Sequence, residues 1–109
     1  MSGLADRELG ILTNILKKMS AVESGVLFGS RALGTHKYNS DVDIALYGKG
    51  LVYSDILRIK SEIEETTLPY FFDLVAVFMI ENENLIKHIE THGKVIYQRN
   101  IANHTKSFD

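Results

Sequence analysis

Helical apolar stripes that alternate with short apolar runs predict an α/β (or α+β) fold, a sheet of about four strands covered by helices. The stripes are Leu9, Leu12, Ile15, Leu16 and Met19, then Ile56, Ile59 and Ile63, then Leu85, Ile86 and Ile89. The runs are Val26-Leu27-Phe28, Asp41 to Tyr47, Tyr70 to Phe78 and Val95-Ile96-Tyr97. With 109 residues, 45% of them apolar and 24% charged, the chain suits one globular core. No repeat, low-complexity block or linker divides it, so residues 1–109 read as a single domain. Its core covers about 8–97, and 99–109 form a polar tail that stays loose unless a partner orders it.

Taken in order, the first stripe predicts an amphipathic helix with Asp6 as its N-cap. Val26-Leu27-Phe28 is a buried strand that ends at Gly29, where the backbone can turn sharply and approach a ligand closely. Residues 31–34 suit a short helix capped by Ser30, and 35–40 suit a polar loop. In Asp41-Val42-Asp43-Ile44-Ala45-Leu46-Tyr47, branched and apolar residues favour a strand. Gly48-Lys49-Gly50 marks a turn before a helix capped by Ser54. Pro69 precedes the third strand, Gly93 closes the last helix, and a short strand follows.

The chemistry concentrates between Gly29 and Asp43. Side chains alternate along a strand, so Asp41 and Asp43 share one face while Val42, Ile44 and Leu46 take the other, toward the core. Two like charges that close repel, no Lys or Arg alternates with them, and a bound cation is the natural compensation. A third acid, Asp73, lies within the most apolar segment of the chain, where a carboxylate is costly unless it is paired or ligates metal. If its strand adjoins the Asp41–Asp43 strand, three carboxylates can converge on one or two Mg²⁺ ions and serve an in-line displacement. Gly29 and Ser30, ten residues upstream, supply the backbone N–H and hydroxyl donors that phosphates require.

Rival motifs fail on particular residues. Gly29 and Gly34 have Walker A spacing, but Thr35 and His36 replace the Lys and Ser or Thr. An EF-hand loop opening at Asp41 would need ligands or glycine where Ala45, Leu46 and Val52 stand. Tyr53 occupies the third glycine position after Gly48 and Gly50 in a dinucleotide fingerprint. His88 and His92, one turn apart, have no third ligand nearby, so a surface or helix-end role is expected. His36 reads as an ordinary loop residue.

Composition narrows the partners. No run of about 18 apolar residues suggests a membrane span, and the N-terminus lacks signal-peptide character. The absence of cysteine excludes disulfides and thiolate metal sites and suits the cytoplasm. A net charge of −2 with scattered basic residues does not favour extended nucleic acid, whereas a nucleotide or a protein partner remains compatible.

Gly29-Ser30, ten residues, Asp41-x-Asp43, then Asp73 in an apolar strand resembles the nucleotidyltransferase superfamily of DNA polymerase beta. The short chain is most similar to its minimal nucleotidyltransferases, the antitoxins of modules with HEPN-domain toxins. The resemblance implies a mixed sheet flanked by helices, with the site at one edge. It implies that Gly29 and Ser30 bind the triphosphate, and that Asp41, Asp43 and Asp73 hold two Mg²⁺ ions and carry catalysis. Arg31 would be an auxiliary phosphate contact or a site-shaping residue. Leu33 departs from the Gly-Ser-Arg-Ala-Arg-Gly form of the family. The implied reaction is transfer of AMP from ATP to a hydroxyl, a tyrosine of a HEPN toxin, within a homo- or hetero-oligomer. The alternatives are a non-catalytic antitoxin that masks its partner and an enzyme acting on a small molecule of the aminoglycoside type.

Overall fold

Helices form where apolar residues recur at three- and four-residue intervals, and strands form in the apolar runs between them. The computed structural model describes residues 3–37 and 39–99. Its elements are α1 (Asp6–Lys18), β1 (Ser24–Phe28), α2 (Ser30–Leu33), β2 (Val42–Tyr47), α3 (Tyr53–Glu64), β3 (Phe72–Ala76), a 3₁₀ turn at Val77–Met79, α4 (Glu83–His92) and β4 (Lys94–Gln98). The strands lie in the order β3-β2-β1-β4. β1 is antiparallel to both β2 and β4, whereas β2 and β3 are parallel and connected through α3. A parallel pair needs such a crossover because a tight hairpin cannot reverse the chain twice. The sheet is therefore mixed, as the family resemblance implied.

Strand alternation divides the core in two. Val42, Ile44 and Leu46 of β2, Leu27 of β1 and Phe72 and Ala76 of β3 pack against α1 and α3 through Leu12, Leu16, Ile59 and Ile63. On the other face, Val26, Phe28 and Ala45 meet Ile89 of α4 in a much smaller cluster. Burying a large aliphatic side chain contributes about 1.5–3 kcal/mol, so the first face supplies most of the hydrophobic stabilisation. Among the described residues no helix is long and apolar enough to cross a membrane.

Three expected N-caps lie one or two residues inside their helices. The cap positions are Ala5, Gly29 and Val52, so Asp6, Ser30 and Ser54 are helical. At two of these ends an acid replaces the expected capping side chain. Glu8 Oε1 accepts from Ala5 N–H at 2.9 Å, and Asp55 Oδ2 accepts from Val52 N–H at 3.0 Å. Such back-bonding satisfies a helix-end donor and places negative charge in the first turn. At α4 the cap is Asn82, whose Oδ1 accepts from Asn84 and Leu85 N–H.

Arg99 is the one residue of the expected polar tail that lies among the described residues. Arg99 is anchored, donating from Nε to Val22 O at 2.9 Å and from Nη2 to Lys17 O and Met19 O. Its backbone N–H bonds Glu23 O. The rest of the proposed tail, 100–109, lies outside the described residues, as does Tyr38 of the polar loop.

Candidate active site

Sheet register brings the chemistry-bearing residues together. Phe28, the last residue of β1, pairs with Asp43, and Asp43 pairs with Asp73 on β3. Paired residues in adjacent strands point to the same face, so the two acids stand side by side where β1 runs into its turn. Asp41, two residues before Asp43, completes the row. Val42 N–H donates to Phe71 O at 2.9 Å, which locks the two acid-bearing segments together at their start.

Gly29 brings its turn against this row. Its backbone, at φ 75° and ψ −154°, lies in a region that is essentially restricted to glycine. A Cβ at this position would also collide with the Asp43 carboxylate. Glycine is thus required twice, for conformation and for the approach of the turn to the central acid. The α2 helix starts immediately at Ser30 and closes at Gly34 in the left-handed conformation.

Electrostatics mark Asp43 as the centre. Burial raises its pKa first, and the charges of Asp73 and Asp41 raise it further, against a weaker opposing pull from Arg31. A divalent cation would relieve both repulsions, so the donor set suits a hard metal ion. The expected convergence on such an ion is a row of acids rather than a formed cage. Among the described residues no three acid or imidazole groups enclose a metal position.

Asp73 corrects an expectation. It is exposed, because β3 is an edge strand of only five residues. The apolar run around it overstated its burial, and Phe71 and Phe78 are themselves 82% and 59% exposed. Asp41 and Asp73 border a hollow of about 590 Å³ between α3 and the start of β3, which Lys60, Tyr70 and Phe71 also line.

Arg31 is only 1% exposed. Its Nη2 donates to Ser40 O at 2.9 Å, and its guanidinium lies 5.0 Å from the centre of the Tyr70 ring. Tyr70 in turn donates to Glu8 Oε1 at 2.8 Å. This chain of contacts ties α2 to the residue preceding Asp41 and to α1. His36 lines a separate hollow with Arg31 and Tyr70, and Leu33 is half-exposed on α2.

Sequence reasoning missed His88. The residue was expected at the surface, yet it is partly buried and its Nε2 accepts the Gly29 N–H at 3.0 Å. Its ring meets Phe28 edge-on, with centroids 6.3 Å apart. The available signal was spacing, because His88 follows Leu85 by three residues and adjoins buried Ile89 on the part of α4 that packs against the sheet.

A glycine turn pressed against the middle of three acids, on a mixed sheet, defines a site of the nucleotidyltransferase class. The family model described as Polymerase beta, Nucleotidyltransferase matches residues 11–102, and the chain belongs to that family. Two solved structures share the fold. One is a toxin–antitoxin complex with AMP-PNP, 22% identical, with a TM-score of 0.70 over 89% of this chain and 78% of that one. The other is a tri-AMPylated Shewanella oneidensis HEPN toxin in complex with MNT antitoxin, 18% identical, with a TM-score of 0.57 over 89% of this chain and 78% of that one. No curated protein matches the sequence.

Proposed function

We propose that this chain is a Mg²⁺-dependent nucleotidyltransferase that moves AMP from ATP to a hydroxyl, a tyrosine of a HEPN-domain toxin, and so acts as its antitoxin. The observation that carries this reading is the Phe28–Asp43–Asp73 row, with Gly29 against Asp43. The AMP-PNP and tri-AMPylated complexes that share the fold support the choice of nucleotide and partner.

Asp41, Asp43 and Asp73 would hold the metal, which supplies charge neutralisation for the attacking and leaving oxygens. The Gly29–Ser30 turn receives the triphosphate, Gly29 by letting the backbone approach closely and Ser30 through its hydroxyl donor. Asp73, exposed on the edge strand, takes the proton of the acceptor hydroxyl. The acceptor oxygen forms a bond to the α-phosphorus as the bond to the bridging oxygen breaks, and pyrophosphate leaves. The hollow beside Asp41 and Asp73 gives the acceptor an approach on the side of the row remote from Gly29. Arg31, buried below the loop, shapes the site and offsets part of the charge on Asp43.

The test combines purified chain, α-labelled ATP, Mg²⁺ and a HEPN-domain protein from the same organism. Label should transfer to a partner tyrosine, and Asp41→Asn or Asp43→Asn should reduce the rate at least about a hundredfold. No transfer by the wild type would refute the reading. The toxin–antitoxin complexes that share the fold also support one second reading, an antitoxin that masks its partner with an idle site. In that case the same two variants would neutralise the toxin as well as the wild type does.

A further inference from the structure

The contact between His88 and Gly29 joins positions 59 residues apart, and it does so at the turn proposed to receive phosphate. Resting on the nucleotidyltransferase reading, we propose that His88 is a positioning residue that fixes the Gly29 peptide and thereby sets the phosphate turn for nucleotide binding.

The turn needs an external hold. Gly29 adopts a backbone conformation that few residues can reach, and glycine itself has wide freedom to leave it. Within α2 only the carbonyl side of the Gly29 residue is used, accepting from Ala32 and Leu33 N–H at 3.1 and 3.2 Å. Its N–H points out of the helix, and the acceptor that meets it comes from α4. The two peptide units that flank the Gly29 Cα are thereby both held, the following one by α2 through its carbonyl and the preceding one by α4 through its amide.

The holder is itself fixed. Ile89, the next residue on α4, is 2% exposed and packs with Val26, Phe28 and Ala45. Gly93, at the end of α4, lies so close to Val26 and Ile89 that a side chain there would clash with both. His88 therefore reaches Gly29 from a helix seated on β1, the same strand that delivers the turn. Because Nε2 is the acceptor, the ring must carry its proton elsewhere, and the role demands a lone pair rather than a positive charge. In this arrangement the Gly29 amide is occupied, so His88 acts through the turn's shape and the phosphate donors lie from Ser30 onward.

Three forms of the full chain separate the hydrogen bond from packing. His88→Leu keeps an apolar side chain against Phe28 but removes the acceptor, whereas His88→Gln restores an acceptor oxygen at similar reach. Two readouts are taken: the Gly29 amide resonance with its hydrogen-exchange rate, and the Kd for ATP with Mg²⁺ by calorimetry. The Leu variant should shift the Gly29 resonance, speed its exchange and weaken ATP binding about three- to tenfold, the range set by one hydrogen bond. The Gln variant should recover most of both.

A Leu variant with an unchanged Gly29 amide and wild-type ATP affinity would overturn the proposal. Equal loss in Leu and Gln variants would assign the effect to packing and also overturn it. If the wild type binds no ATP, the nucleotidyltransferase reading fails and the positioning role falls with it. In that outcome the Gly29 amide would still respond to His88→Leu, which distinguishes the two failures.

Discussion

The two faces of the sheet follow the same alternation rule but serve different ends. One is closed by α1 and α3 over a cluster that includes fifteen buried residues among those described, Val42, Ile44 and Leu46 of β2 with them. The other has, among the described residues, four buried ones under α4, and then opens onto the row of Asp43 and Asp73. A single strand therefore contributes core on one side and chemistry on the other. The closed face supplies enough burial for the open face to carry repelling charges close together. Marginal stability makes that division consequential, because a few kcal/mol is a large share of the total.

The largest stability effect belongs to the closed face. Ile44 is fully buried, and Ile44→Ala should destabilise by about 2–5 kcal/mol, lowering the thermal midpoint by about 10 °C or more. Val75, half-buried on the open face, should lose clearly less when it becomes Ala. Equal losses in chemical and thermal denaturation would break the contrast between the faces.

A smaller effect tests how the closed face is sealed at its β4 side. Arg99 gives one guanidinium to three carbonyls, those of Lys17, Met19 and Val22, at the end of α1 and in the segment leading to β1. Arg99→Ala should cost about 1–3 kcal/mol, since two part-buried carbonyls lose charged donors. Arg99→Lys should recover little of it, because a single ammonium cannot reproduce the planar fork. Urea midpoints of the three proteins decide the matter, and full recovery by Lys would show that charge rather than geometry closes this edge.

The closed face was legible because its signals are local. Period-two alternation placed Val42, Ile44 and Leu46 inward and Asp43 outward, and helical stripes identified α1 and α3. The open face depends on neighbours that local pattern does not specify. The burial of Asp73 was misread because an apolar run looks the same in a central strand and at an edge, and only strand order makes it exposed. For Arg31 the place after Gly-Ser suggested a phosphate contact or a site-shaping residue, and local pattern could not name Ser40 and Tyr70 as the partners that hold it. His88 was discounted because a histidine in a helical stripe is usually solvated, and its partner lies 59 residues away. The helix caps were misplaced because Glu8 and Asp55 bond back to backbone that precedes them.

The smallest effect gives the finest test of the open face. Asp43 has a raised pKa in the fold, chiefly through burial and then through Asp73 and Asp41, so its ionised form is less favourable folded than unfolded. Between its ordinary value of 3.8 and the raised folded value, the native state binds more protons than the unfolded chain. Stability contributed by this group therefore falls as pH rises through that window, and the penalty is fully present above it. Asp43→Asn removes the penalty, so in metal-free buffer at neutral pH the variant should melt slightly above the wild type. The gap should close as pH falls through the folded pKa and vanish below 3.8. Mg²⁺ should reverse the order, stabilising the wild type by neutralising the row while leaving the Asn variant nearly unchanged. Thermal melts across pH, with and without Mg²⁺, give the answer. A wild type more stable than Asp43→Asn at neutral pH without metal would mean that the row is compensated within the protein. The open face would then be a finished structural surface rather than one awaiting a cation.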